Sequence, residues 1–230
     1  TTASSKTIIG STSTSANLSA LSYSGYGFDY YNNSLGVSNS HFMCIEDHFL
    51  TDNLTYYTQT QILSGSTSFI ASSSTEFSSV GISSSASGSS GAALLTTNTI
   101  LLNGNEAMSC KFKLNGNNAN YITVIGFISS ATTAPTRGIF LRITGLGATS
   151  VRIVQSSGNT TINGSFTLSI NTYYVCELLT KTNLAGLVVN IYDLSGNLLE
   201  SINSNVQINL FSDVMYSGVC CQNSSGGVIL

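Results

Sequence analysis

Met108-Ser-Cys-Lys-Phe-Lys-Leu114 decides how this chain folds. Met108, Cys110, Phe112 and Leu114 alternate with Ser109, Lys111 and Lys113, so an extended backbone sends the apolar side chains to one face and the polar ones to the other. That is the mark of a half-buried β-strand. The pattern recurs outward in Gly138-Ile-Phe-Leu-Arg-Ile-Thr144, Ser165-Phe-Thr-Leu-Ser-Ile170, Leu187-Val-Val-Asn-Ile-Tyr192 and Val206-Gln-Ile-Asn-Leu210. Tyr121-Ile-Thr-Val-Ile-Gly-Phe-Ile128 and Tyr173-Tyr-Val-Cys-Glu-Leu-Leu179 are apolar at both parities, which predicts central strands.

Turn residues punctuate these runs at Asn103-Gly104, Asn115-Gly116, Gly158-Asn159, Asn163-Gly164 and Ser195-Gly-Asn197. Asn and Gly tolerate the positive φ that tight hairpins demand. No window sustains a helical period. About a dozen short antiparallel strands, each with one apolar face, predict an all-β fold of two sheets packed face to face, a sandwich or jelly roll. This domain is expected to occupy residues 41–230. Residues 1–40 combine Ser/Thr tracts with Tyr23-Ser-Gly-Tyr-Gly-Phe-Asp-Tyr-Tyr31 and show no sustained period, and we read them as an extended arm or connector. The Ser, Gly and Ala tract from Ser72 to Gly91 reads as a loop between strands. The chain opens at Thr1 without an initiator Met or a signal segment, the expectation for a processed or partial product. It closes on Val228-Ile229-Leu230, which reads as a strand ended inside a sheet.

Composition removes several classes of function. Of the 230 residues only 7% are Asp, Glu, Lys or Arg, against roughly 25% in ordinary soluble domains, so hydroxyls and amides must build the surface. Apolar runs are interrupted by Ser, Thr or Asn well short of the ~20 residues a spanning helix needs, which argues against membrane insertion. The seven basic residues are Lys6, Lys111, Lys113, Arg137, Arg142, Arg152 and Lys181, and they form no run in the sequence. Nucleic-acid binding needs several phosphate contacts made together, so a DNA or RNA partner is not expected. Cys44, Cys110, Cys176, Cys220 and Cys221 show no CxxC and no zinc-ligand spacing. Cys110 and Cys176 fall in strand patterns, where a free thiol acts as a small hydrophobe. Buried reduced thiols, formed in a reducing cytoplasm, are the reading we prefer over a disulfide framework. Six Asn-X-Ser/Thr sequons, at Asn17, Asn32, Asn53, Asn159, Asn163 and Asn223, are what chance gives in so Asn- and Ser-rich a chain.

The ionisable groups do not assemble a catalytic site in the sequence. Glu46-Asp47-His48 clusters three of them, but no nucleophile accompanies it, and we read it as a strand entrance. Glu106, Glu177, Asp193, Glu200 and Asp213 occur singly, whereas glycoside hydrolysis needs two carboxylates roughly 5–10 Å apart. The serine nucleophile elbow, the HExxH helix, the phosphate loop and the calcium loop are all absent. No enzyme, cofactor or metal is expected. The candidate ligand site is the loop Asn115-Gly-Asn-Asn-Ala-Asn-Tyr121, where the amides of Asn117, Asn118 and Asn120 would meet sugar hydroxyls and Tyr121 would serve as a stacking plate.

An ordered set of motifs carries a resemblance. Tyr121-Ile-Thr-Val-Ile-Gly-Phe-Ile128, Ser129-Ser-Ala-Thr-Thr-Ala-Pro-Thr136, Gly138-Ile-Phe140, Thr172-Tyr-Tyr174 and Val189-Asn-Ile-Tyr-Asp-Leu-Ser-Gly-Asn-Leu198 follow one another as in the concanavalin A-like jelly rolls of bacteriophage head and tail fibres and other virion surface proteins. Glu46-Asp-His-Phe49 resembles the acidic-then-Phe start of those domains. The resemblance implies a non-enzymatic virion structural protein, a fibre, spike or capsid decoration. It would be assembled in the host cytoplasm, placed on the virion surface beside other virion proteins, and built as a homo-oligomer with a trimer as the first choice. It also implies contact with a host-surface glycan, and it carries over no catalytic residue. Two alternatives stand beside it: a jelly-roll capsid shell subunit, and a carbohydrate-binding or hydrolytic module of a secreted protein.

Overall fold

The structure is a computed structural model. It describes residues 18–23, 26–32, 41–47, 57–62, 65–70, 79–83, 90–97, 99–115, 120–144, 146–210 and 213–223, with 98 and 145 excepted. Backbone contacts divide the chain into two compact units, Thr1–Asn53 with Phe69–Val80, and Leu54–Ser68 with Gly81–Leu230.

In the first unit β1 (Leu18–Tyr23), β2 (Tyr26–Asn32) and β3 (His41–Asp47) form an antiparallel meander in the register Leu18↔Tyr31 and Phe28↔Ile45. Two of these strands lie within the stretch expected to be an arm. The Glu46-Asp47 pair ends β3, and His48 lies outside the described residues.

The second unit holds the larger sheets. Its strands are β4 (Tyr57–Ile62), β7 (Gly91–Thr96), β8 (Ile100–Leu101), β9 (Ala107–Lys113), β10 (Tyr121–Ile128), β11 (Gly138–Thr144), β12 (Ala148–Gln155), β13 (Gly158–Thr167), β14 (Tyr173–Thr180), β15 (Leu187–Tyr192), β16 (Leu198–Ser204) and β17 (Val214–Asn223). Two further strands, β5 (Ser66–Ile70) and β6 (Ser79–Ser83), form a small sheet of their own. The large sheet runs β13-β12-β11-β10-β17-β7-β4, with β8 also on β17, and the small one runs β16-β15-β14-β9. Every registered pair is antiparallel, and no α-helix occurs among the described residues. The all-β sandwich is therefore the fold of this chain. β10 and β14 are interior strands, as their doubly apolar sequences predict.

Between the sheets lies the main core. Ile125 and Phe127 of β10, Ile139, Leu141 and Ile143 of β11, and Val151 and Ile153 of β12 form its large-sheet side. Cys176, Leu178, Val189, Ile191 and Ile202 form the other. Completely burying each large aliphatic side chain contributes roughly 1.5–3 kcal/mol, so this layer dominates the stability.

Several sequence expectations change at element ends. Val206–Leu210 alternates correctly, with Ile208 and Leu210 fully buried, yet it joins no ladder. Its backbone is satisfied instead by Ile208 N–H donating to the Leu184 carbonyl (2.9 Å) and Asn209 N–H to Gln155 Oε1 (2.8 Å). The strand expected over Ser165–Ile170 stops at Thr167, where Leu168 N–H turns to the Gly147 carbonyl. Asn163-Gly164 lies inside β13 and is no turn. The tract from Ser72 to Gly91 contains β6, and its residues 71–78 and 84–89 lie outside the described residues, as do residues 224–230.

The outer face of the large sheet departs from the expectation of one wet side. Val124, Ile128, Phe140, Cys220, Ala93 and Leu95 form a second buried cluster there, with Ala131 and Tyr216 against it. Its floor includes two glycines: a Cβ on Gly126 would stand 2.7 Å from Phe140 Cβ, and one on Gly218 would stand 2.7 Å from Leu95 Cδ2. The segment 129–137 roofs this cluster. Ala131 packs on it, and the Thr133 hydroxyl donates to Oε1 of Gln222 at 2.7 Å. Gln222 pairs with Ile122 near the start of β10, so the loop that leaves the end of β10 folds back along the strand.

Candidate functional site

Register sorts the outer face into two halves. One row across the sheet reads Leu95, Gly218, Gly126, Phe140, Arg152, Thr161, and the next reads Ala93, Cys220, Val124, Arg142, Ser150, Asn163. The first row is apolar from β7 through Phe140 of β11 and the second from β7 through Val124 of β10, where the 129–137 loop covers them, and beyond these residues both are polar. Antiparallel pairing places side chains of one face within about 5–8 Å of their neighbours, so these polar groups form one surface rather than scattered points.

Arg142 and Arg152 stand at the border of the two halves. They are diagonal neighbours, because Arg142 pairs with Ser150 while Arg152 pairs with Phe140. Both are half-buried, their alkyl stems lying beside the Val124 and Phe140 rows. The Arg152 Nε–H donates to the Thr161 hydroxyl at 3.3 Å, and the Ser150 hydroxyl donates to the Arg142 carbonyl at 3.4 Å. Among the described residues neither guanidinium has a carboxylate partner, and that of Arg142 has no hydrogen-bond partner. Burial, and then the like charge of Arg152, depress the Arg142 pKa. Thr161 and Asn163 are exposed beside them.

The acids are committed elsewhere. Glu200 is buried on β16, where its Oε1 accepts from the N–H of Ser165 and of Phe166 (3.0 Å) and from the Ser165 hydroxyl (3.1 Å), while its Oε2 accepts from the Thr149 hydroxyl (2.8 Å). This carboxylate clasps the small sheet to β12 and β13. It also explains Gly164, where a Cβ would come within 2.5 Å of Glu200 Oε2. Glu106 accepts from the N–H of Asn103 and Gly104 and from the Thr180 hydroxyl. Asp193 closes the β15–β16 turn through the N–H of Ser195 and Asn197. Asp213 lies 3.6 Å from Arg137, and Glu177 bonds to Tyr192. Among the described residues no three His, Cys, Asp or Glu side chains stand together to hold a metal.

The residues expected from the sequence to bind fare differently. Asn117 and Asn118 lie outside the described residues. Asn120 is exposed at the entry to β10, the end of the sheet that also carries Thr144. Tyr121 is 1% exposed, so its ring is core and offers no face for stacking on a sugar. Parity is the reason: Tyr121 shares the inner face of β10 with Thr123 and Ile125. Sequence reasoning missed Arg142, Arg152, Thr161 and Asn163. Their one signal was that Arg142 and Arg152 occupy the polar parity of neighbouring strands, and only the register shows that they adjoin.

The family model for the SO2946-like C-terminal domain matches residues 76–227, well over half of the chain. The chain belongs to this family. A protein of unknown function from Shewanella oneidensis MR-1, SO2946, superposes with a TM-score of 0.61 at 19% identity, covering 90% of this chain and 82% of its own. A legume lectin-like domain from Entamoeba histolytica gives 0.50 at 12% identity, with 76% and 85% covered. Lectin II from Ulex europaeus gives 0.50 at 9%, with 74% and 86% covered. No curated protein matches the chain. The fold is thus the legume lectin-like, concanavalin A-like jelly roll that the ordered motifs implied, and none of these three relatives carries the viral part of that resemblance.

Proposed function

We propose that this chain is a non-enzymatic carbohydrate-recognition module whose ligand lies on the open outer face of β11, β12 and β13. The observation that carries the reading is the polar half of that face. Thr161, Asn163 and the two arginines present hydroxyl, amide and guanidinium groups in register on rigid strands, beside a roofed apolar half. Sugars are recognised by arrays of donors and acceptors of this kind, and strand positions hold them with little entropy to lose on binding. The legume lectin-like fold is compatible with it. The engagement of Glu106, Glu177, Asp193, Glu200 and Asp213 in structural contacts leaves none of them free to act with a second carboxylate, which favours binding over hydrolysis.

This reading follows the carbohydrate-binding alternative rather than the virion role. The virion setting, the trimer and the host-cell placement rest on the sequence motifs alone. A glycan microarray probed with the wild-type chain and with the double variant T161A/N163A tests the site. We expect glycan binding that falls about tenfold or more in the variant, since each lost hydrogen bond contributes roughly 0.5–1.5 kcal/mol. Replacing Asn117, Asn118 and Asn120 by Ala tests the residues expected from the sequence to bind. Absence of any glycan binding by the wild type defeats the proposal, as does release of new reducing ends from a bound oligosaccharide.

A further inference from the structure

We infer that the sugar received on this face carries an acidic group, a carboxylate or a sulfate, and that Arg142 and Arg152 together hold it. The inference rests on the carbohydrate reading above and names the ligand class for the same site.

Charge is scarce in this protein, with seven basic residues in 230, so each cation invites an account of what it meets. Four of the six in the second unit have one. Arg137 lies against Asp213, Lys181 donates to the side-chain oxygens of Asn203 and Asn205, and Lys111 and Lys113 stand 5.0 and 4.8 Å from the centre of the Tyr173 ring. Arg142 and Arg152 are different. They sit together on one open face, half-buried, and the carboxylates of the second unit are all engaged elsewhere. Thr161 takes one N–H of Arg152, and the Arg142 guanidinium has no hydrogen-bond or carboxylate partner among the described residues.

Two like charges on diagonal positions of adjacent strands repel, and partial burial adds to that cost. An arrangement of this kind is favourable once an anion lies between the two groups. Guanidinium is suited to the task because its planar fork meets the two oxygens of a carboxylate or sulfate in parallel hydrogen bonds. The bond to Thr161 fixes the plane of Arg152 in advance. Asn163 stands exposed in the row of Arg142, beyond the buried Ser150, where hydroxyls of the sugar ring bearing the acid would fall.

The test is an array holding neutral oligosaccharides together with uronate-bearing, sialylated and sulfated ones, probed with the wild type, R142Q, R152Q and the charge-preserving R142K. Thermal melting of each variant checks the fold, and these half-exposed positions are expected to leave the melting temperature unchanged. We expect binding to acidic glycans, weakened by added salt, and reduced about tenfold or more in each Gln variant, with R142K in between because it keeps the charge and loses the fork. Preference among the acidic arms tells carboxylate from sulfate. Binding confined to neutral glycans, or acidic binding unchanged in both Gln variants, overturns the inference and leaves the carbohydrate reading standing. Failure to bind any glycan overturns both.

Discussion

Glu200 shows how much one residue holds in a chain so poor in charge. Its carboxylate would be driven up in pKa by burial, but the N–H groups of Phe166 and Ser165 and the hydroxyls of Thr149 and Ser165 outweigh that and hold it below its usual range. An amide has only one acceptor oxygen, so Glu200→Gln sets an N–H against a donor. We expect it to lower unfolding free energy by roughly 2–3 kcal/mol, read from the urea midpoint. Gly164→Ala is expected to weaken the same clasp, because its methyl needs the space of the carboxylate. The pH dependence follows from the sign of the shift. With the folded pKa below the unfolded value of about 4.3, the contribution of Glu200 is complete above that value and is lost as pH falls through the folded pKa. Wild type should therefore lose stability on acidification more steeply than Glu200→Gln, and parallel acid profiles of the two would refute the clasp. Nothing in the sequence marks Glu200 as special: it appears as one acid on an alternating strand, and its four donors come from residues 149 to 166.

At the scale of elements, alternation located strands well and their ends poorly. Gly138–Thr144, Leu187–Tyr192 and Tyr121–Ile128 run as the sequence pattern predicts, because side-chain parity is a local property. Val206–Leu210 has the same parity but lacks a partner strand, and whether a strand pairs depends on chains distant in sequence. Its place in the fold is set by Gln155, whose Oε1 accepts from Asn209 N–H and whose Nε2 donates to the Gln207 carbonyl at 3.4 Å. Gln155→Ala leaves both groups without these bonds. We expect a loss of roughly 1–3 kcal/mol, accompanied by faster amide hydrogen exchange at residues 207–210 while the centre of β10 keeps its protection. Equal exchange in both proteins would show that apolar burial of Ile208 and Leu210 anchors the segment unaided.

For the molecule as a whole, the thiols report on the two cores. Cys176 lies in the core between the sheets, opposite Cys110 in the pairing of β14 with β9, and Cys220 lies in the cluster on the outer face. Cys110, Cys176, Cys220 and Cys221 are free. Burial pushes Cys110 up to about 11 and Cys220 up to about 12, the latter with help from neighbouring Cys221. Burial first, and then Cys110 and Glu177, raise Cys176 further. Thiolate is the reactive form, so at neutral pH the native protein should leave Cys176, Cys220 and Cys221 unmodified by N-ethylmaleimide. Denaturation without reductant should expose all three to labelling, as peptide mass mapping would show. Labelling of Cys220 in the native state would mean that the 129–137 roof opens readily.

The sequence by itself determined that this is an all-β sandwich with a charge-poor coat, because side-chain parity and composition are properties of the chain. It also carried the order of motifs that points to the legume lectin-like fold. Tertiary structure alone decided that Tyr121 is core and that part of the outer face of the large sheet is apolar and covered. It also decided that Arg142 and Arg152, on different strands, share one open surface. These depend on the pairing of strands and the path of a loop across them, and such non-local contacts are fixed by the packing of the whole.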